Sequence, residues 1–217
     1  MSQEQETYPV SIRGELTVPP NSGLWLIKWL LAIPHFIILA FLWIAFIIVW
    51  IIAFFAILFT GRFPRGLFDF NVGVLRWTWR VGFYSYQTLG TDKYPPFTLK
   101  SVDYPADLDV PYPERLSRGL ALVKWWLLAI PHYIVVGILV GGWQFREGWQ
   151  FHQGWEYQGG GGLIFALVII AAVALLFTGR YHKDIFKLVI GMNRWVYRVA
   201  AYAALMTDKY PPFRLWD

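Results

Sequence analysis

The chain reads as an all-α integral membrane protein of two tandem repeats, each a transmembrane helical hairpin followed by an interfacial amphipathic helix, with four crossings in total. Three observations predict this class: apolar residues gathered into long runs, sequence blocks that occur twice in the same order, and cationic residues segregated to one side of the implied topology. Apolar residues make up 57% of the chain and charged residues 15%, against roughly 45–50% and about 25% in soluble domains. Residues 24–60 carry one charge, Lys28, and residues 163–178 carry none. About 18 apolar residues suffice to cross a hydrocarbon layer ~30 Å thick.

The duplication is explicit. Trp29-Leu30-Leu31-Ala32-Ile33-Pro34-His35 returns as Trp126-Leu127-Leu128-Ala129-Ile130-Pro131-His132, and Phe59-Thr60-Gly61-Arg62 as Phe177-Thr178-Gly179-Arg180. Gly73, Arg76, Trp77, Arg80 and Tyr84 return as Gly191, Arg194, Trp195, Arg198 and Tyr202. Thr91-Asp92-Lys93-Tyr94-Pro95-Pro96-Phe97 recurs letter for letter at 207–213, and Tyr8-Pro9 has an echo in Tyr104-Pro105. Repeat 1 is therefore placed at 1–100 and repeat 2 at 101–217.

Copy two carries about 21 extra residues between the Pro-His and Gly-Arg blocks, including the polar, Gly-rich stretch 143–162. Such a stretch cannot sit within a membrane helix, because its backbone groups would be unsatisfied there. Alignment sets it opposite Ala45–Phe46, which predicts hairpins at about 24–60 and 120–178, the first turning at 45–46. That topology leaves Arg146 as the one Lys or Arg among 19 on the far side, a positive-inside pattern with both termini cytoplasmic. Residues 1–22 lack the basic start and cleavage site of a signal peptide, so the first apolar run is expected to be retained.

After each hairpin the pattern becomes helical and charged, over about 66–89 and 183–205. Asp69, Arg76, Arg80 and Gln87 form one polar stripe, and Asp184, Lys187, Arg194 and Arg198 another. A narrow cationic stripe with aromatic neighbours predicts helices lying at the interface. Two arginines at the bilayer centre would cost roughly 5–7 kcal/mol.

These blocks resemble a prokaryotic membrane-protein family known as domain of unknown function 4389, with one unit in each half. Copy two departs from the pattern at Tyr181-His182-Lys183-Asp184, where copy one has Phe63-Pro64-Arg65-Gly66, and in its aromatic insertion. The resemblance implies a bacterial plasma-membrane location and supplies no mechanism.

His35 and His132, each following a proline in an apolar helix, are the intramembrane polar candidates. They are read either as a facing pair serving a proton relay or as axial haem ligands, or as rings that satisfy backbone groups freed at the proline kink. Arg62, Arg76, Arg80, Arg180, Arg194 and Arg198 are candidates for lipid headgroups or an acidic partner. Asp92 and Asp208 are assigned to Asx-type turns. Trp143, Phe145, Trp149, Phe151, Trp155 and Tyr157 are expected to form an extracytoplasmic aromatic contact loop.

The chain has no cysteine, which excludes thiolate chemistry and Cys–Zn sites. It also lacks a Gly-rich phosphate loop, a His-Glu-x-x-His helix and a nucleophile elbow. The net charge of +5 sits beside apolar runs, which predicts anionic lipid rather than nucleic acid as the partner. The function expected is a non-catalytic accessory or scaffold subunit of a larger membrane complex, with no catalytic residue, metal or cofactor. The alternatives are a small transporter or channel at the repeat interface, and a haem-binding electron-transfer subunit through His35 and His132.

Overall fold

The computed structural model describes residues 8–16, 20–141 and 161–216. The elements run β1 (Ser11–Gly14), α1 (Trp25–Thr60), α2 (Arg65–Tyr84), β2 (Ala106–Asp109), α3 (Arg118–Val123), a π-helical turn (Lys124–Leu128), α4 (Ile130–Val140), α5 (Leu163–Thr178) and α6 (Lys183–Ala203). The described residues are mostly helical, as expected, but a short antiparallel ribbon of β1 and β2 corrects the all-α expectation. Its strands have four residues each, too short for their alternation to stand out.

The turn expected at Ala45–Phe46 is absent, and with it the first hairpin. Helix α1 runs unbroken for 36 residues and ends at Gly61, whose left-handed φ of 71° lets its N–H reach the Ile57 carbonyl. A turn within the run would leave backbone groups unpaired among apolar side chains, and Ala45–Phe46 offer neither Gly nor Pro to shape one. Continuing the helix keeps the backbone at Ala45–Phe46 paired within α1. At 1.5 Å per residue α1 is about 54 Å long.

Copy two breaks where the insertion falls. Helix α4 ends at Gly141, in the left-handed region, and α5 starts after Gly162. A Cβ on Gly162 would come within 2.3 Å of the Gly141 nitrogen, so the insertion leaves and re-enters the fold at nearly one point. Helices α4 and α5 both pack on α6, as α1 packs on α2.

The helices expected at an interface form instead the buried middle of the fold. Phe68, Asn71 to Leu75, Trp77 and Trp79 to Tyr84 are buried in α2. Gly73 and Gly191 recur because the chain crosses these helices closely: a Cβ would meet Leu99 Cβ at 2.7 Å and Leu215 Cβ at 3.1 Å.

The ribbon also interlocks the halves. Strand β2, which leads into repeat 2, packs on α2 of repeat 1, and β1, which leads into repeat 1, packs on α6 of repeat 2. Tyr104 donates to the Lys93 carbonyl at 2.8 Å, and Tyr8 to the Lys209 carbonyl at 3.0 Å. The Tyr-Pro echo thus marks two strands exchanged across the pseudo-symmetry.

Candidate functional site

Each repeat builds one enclosed polar centre around its Pro-His block. In repeat 1, α1 presents Lys28 and His35 on one buried face, seven positions apart and so about two turns. The Trp77 indole N–H of α2 donates to His35 Nδ1 at 3.1 Å. Phe97 stacks on the imidazole at 4.0 Å between centroids, and Tyr94 flanks it at 4.9 Å. In repeat 2, Trp195 donates to His132 Nδ1 at 3.0 Å, Phe213 stacks at 4.2 Å and Tyr210 lies at 4.8 Å. Both imidazoles are fully buried.

The Thr-Asp-Lys-Tyr-Pro-Pro-Phe block is the lid of each centre. Tyr94 and Tyr210 donate to the Leu31 and Leu128 carbonyls, in the turn that precedes each proline. The tyrosines, rather than the histidines, serve the backbone at the kink. Asp92 and Asp208 also depart from expectation: the local turns are made by Thr91 and Thr207, whose hydroxyls accept from the Lys93 and Lys209 amides. The aspartates reach elsewhere. Lys28 Nζ lies 2.7 Å from Asp92, donates to the Thr91 carbonyl at 2.8 Å and faces the Tyr84 ring at 5.0 Å. Lys124 repeats this with Asp208 at 2.7 Å, Thr207 at 2.9 Å and Tyr202 at 5.6 Å. The second carboxylate oxygens accept the Asn21 and Ser117 amides, each at 2.6 Å, which ties the start of each rod to its lid. A buried ammonium thus meets an anion, a carbonyl and an aromatic face.

The two histidines do not come together; each is walled in by side chains of its own repeat. Because Nδ1 accepts from an indole, the neutral ring carries its proton on Nε2. That tautomer has no lone pair on Nε2 for an axial bond, so the centres do not fit haem ligation as they stand. Among the described residues no group of three His, Asp or Glu side chains is placed to hold a metal.

The arginines divide. Arg76 pairs with Asp107 at 3.2 Å and Asp109 at 2.9 Å, and the fully buried Arg80 with Asp107 at 3.0 Å, so both clamp β2 onto α2 rather than facing headgroups. Arg198 is buried and stacks over the Tyr8 ring at 5.4 Å, while Arg194 donates to the Leu215 carbonyl at 3.5 Å. Arg62 and Arg180 stand exposed just beyond α1 and α5. The aromatic contact loop from Trp143 to Tyr157 lies outside the described residues.

A family model described as Domain of unknown function (DUF4389) matches residues 22–98 and 157–214, more than half the chain. The chain belongs to this family. In repeat 1 the DUF4389 match spans Lys28, His35, Trp77 and the whole lid. In repeat 2 it takes in Trp195 and the lid but not Lys124 or His132. No curated protein and no solved structure matches the chain.

The partners of Lys28 and His35 escaped the reading of the sequence, although Trp77, Asp92, Tyr94 and Phe97 all recur. Recurrence was the available signal; that they converge on the Lys–His face was not readable from spacing.

Proposed function

We propose that this protein is a non-catalytic membrane scaffold, an accessory subunit embedded in the bacterial plasma membrane with α1 and the α3–α5 rod lying along the cytoplasmic face of the bilayer. The observation that carries this reading is the outward face of those rods. Large apolar side chains stand exposed along the full length of α1, from Leu26 to Phe59 at 73%, and along the second rod to Phe177 at 82%. Soluble monomers rarely expose patches beyond a few hundred Å². By length and composition α1 is long and apolar enough to cross a membrane, and so is the pair Arg118–Leu128 and Ile130–Val140, bent by 46°, if taken as one span.

Two physical points favour an in-plane disposition over threading. A straight helix of about 54 Å fits within ~30 Å of hydrocarbon only at a tilt of about 55°, beyond the usual range. Helix α2 also lies beside α1, with Leu39 against Trp77 and Val81. A spanning α1 would therefore carry the Arg–Asp clamp and the charged ribbon into hydrocarbon. Lying flat immerses the apolar rods and leaves the ribbon in water. The multi-pass arrangement is given up together with the turn at 45–46, while both termini stay on one side. The cleft between the halves, about 340 Å³, is lined by Trp43, Phe46, Trp50, Trp125, Tyr133 and alanines of α6. Such a lining favours a scaffold over an ion path.

The absence of cysteine makes the test direct. Ser22→Cys and Arg65→Cys, at the two ends of α1, are each exposed to a membrane-impermeant maleimide in intact cells and in inverted vesicles. Both should react in inverted vesicles alone. Labelling of the two ends from opposite sides would overturn the disposition. Gentle extraction should bring down a stoichiometric protein partner, and a lipid-bound monomer alone would overturn the accessory role.

A further inference from the structure

We propose that Arg62, Arg115 and Arg118 form a single binding site for a phosphate group at the seam between the two repeats. With Thr60, Gly61 and Leu116 they line an open cavity of about 450 Å³ where the end of α1 meets the start of α3. The seam is fixed by the Leu116 amide, which donates to the Gly61 carbonyl at 2.9 Å. A Cβ on Gly61 would sit 3.7 Å from Arg118 Nε, so this guanidinium rests directly over the left-handed turn that ends α1.

The charge of the cavity is uncompensated. Arg65, Arg76 and Arg80 each have a carboxylate partner. Among the described residues none of Arg62, Arg115 and Arg118 has one, and Glu114, adjacent in sequence to Arg115, pairs with none of them. All three side chains are exposed, so water weakens their mutual repulsion without removing their shared attraction for an anion, and guanidinium forks match the oxygens of a phosphate bidentately. Repeat 2 does not reproduce this arrangement among the described residues. Nothing lies within 4 Å of the Cβ position at Gly179, the counterpart of Gly61. Counting back from the paired lysines, the counterparts of Arg115 and Arg118 are Pro19 and Ser22. The cluster is therefore an addition to the repeated framework.

The apolar face reaches the rim of this cavity, with Phe59 exposed at 73% next to Thr60 and Leu122 at 46% one turn beyond Arg118. A headgroup phosphate would arrive there if the membrane disposition proposed above holds; a free phosphate ester would satisfy the same three forks without it.

The full chain decides the matter in two arms, comparing wild type with Arg62→Gln/Arg115→Gln/Arg118→Gln and with a charge-matched control of exposed lysines, Lys100→Gln/Lys183→Gln/Lys187→Gln. In neutral detergent, inorganic phosphate and glycerol phosphate are titrated calorimetrically. In flotation, vesicles of phosphatidylcholine with and without phosphatidic acid are compared. The seam variant should lose about tenfold or more in anion affinity, the equivalent of one charge-assisted contact, while the control keeps it within a few-fold. Saturable binding in detergent identifies a free phosphate ester as ligand, and a preference seen only with phosphatidic acid identifies a headgroup. Arg118→Gln alone should weaken the same binding, which guards against a misfolded triple variant. No anion dependence in either arm, or equal losses in seam and control variants, would overturn the site. Failure to associate with any vesicle would sink the membrane reading instead and leave the detergent arm to decide.

Discussion

Lys124 and Asp208 meet at 2.7 Å in repeat 2, the separation of Lys28 and Asp92 in repeat 1, although the two rods are spaced differently. Lys28 stands seven positions before His35, whereas Lys124 stands eight before His132. The extra residue is absorbed by the π-helical turn Lys124–Leu128, which widens the helix locally and returns both Lys and His to the buried face. Deleting the exposed Trp126 should convert this turn to α-helix and leave the melting temperature in detergent nearly unchanged. Deleting the exposed Leu30 from repeat 1 should rotate Lys28 by about 100° away from Asp92 and lower the melting temperature sharply. Equal effects of the two deletions would refute the register argument.

Removing one partner of the buried pair should cost more than removing both. Lys28→Met leaves Asp92 without its cation, and because its carboxylate is 31% exposed and keeps the Asn21 amide, the loss expected lies below the about 3–5 kcal/mol of a fully buried pair. Lys28→Met/Asp92→Asn should recover part of that loss. Denaturant unfolding in mixed micelles measures both, and strict additivity of the single variants would exclude the coupling.

Trp77→Phe keeps an aromatic ring, though a smaller one, and withdraws the donor from His35 Nδ1. An unsatisfied buried acceptor costs roughly 1–3 kcal/mol, and the imidazole should lose its fixed tautomer. Nitrogen-15 shifts of the histidine ring report this: a wild-type spectrum with the proton on Nδ1 would contradict the geometry.

The exchange of strands makes the halves interdependent. Residues 1–100 and 101–217 expressed separately should each aggregate, because each leaves a helix without the strand that covers it. Co-expression should recover a complex. A well-folded isolated half, by circular dichroism and gel filtration, would disprove the interlock.

Alkaline pH should loosen the core. Burial first, and then Tyr210 and Asp208, push the Tyr202 phenol up from 10.0 to about 12. Burial also raises Tyr8, Tyr104 and Tyr181. The folded state thus keeps protons that the unfolded chain releases near pH 10. Stability is expected to be full below pH 10 and to fall as pH climbs toward about 12. A melting temperature flat across that window would show that these hydroxyls are not buried as described.

By itself the sequence determined the duplication, the family, the apolar rods and their charged companions, because these depend on local identity and on periods of a few residues. It also singled out the Pro-His blocks. Only the tertiary structure decided that α1 continues through Ala45–Phe46, because helix and hairpin share one apolar composition and the difference lies in where backbone groups find partners. The same limit applied to Lys28 with Asp92, to Trp77 with His35, and to Arg80 with Asp107. Each is a pairing across tens of residues, set by which helix faces meet, and no spacing along the chain encodes that directly.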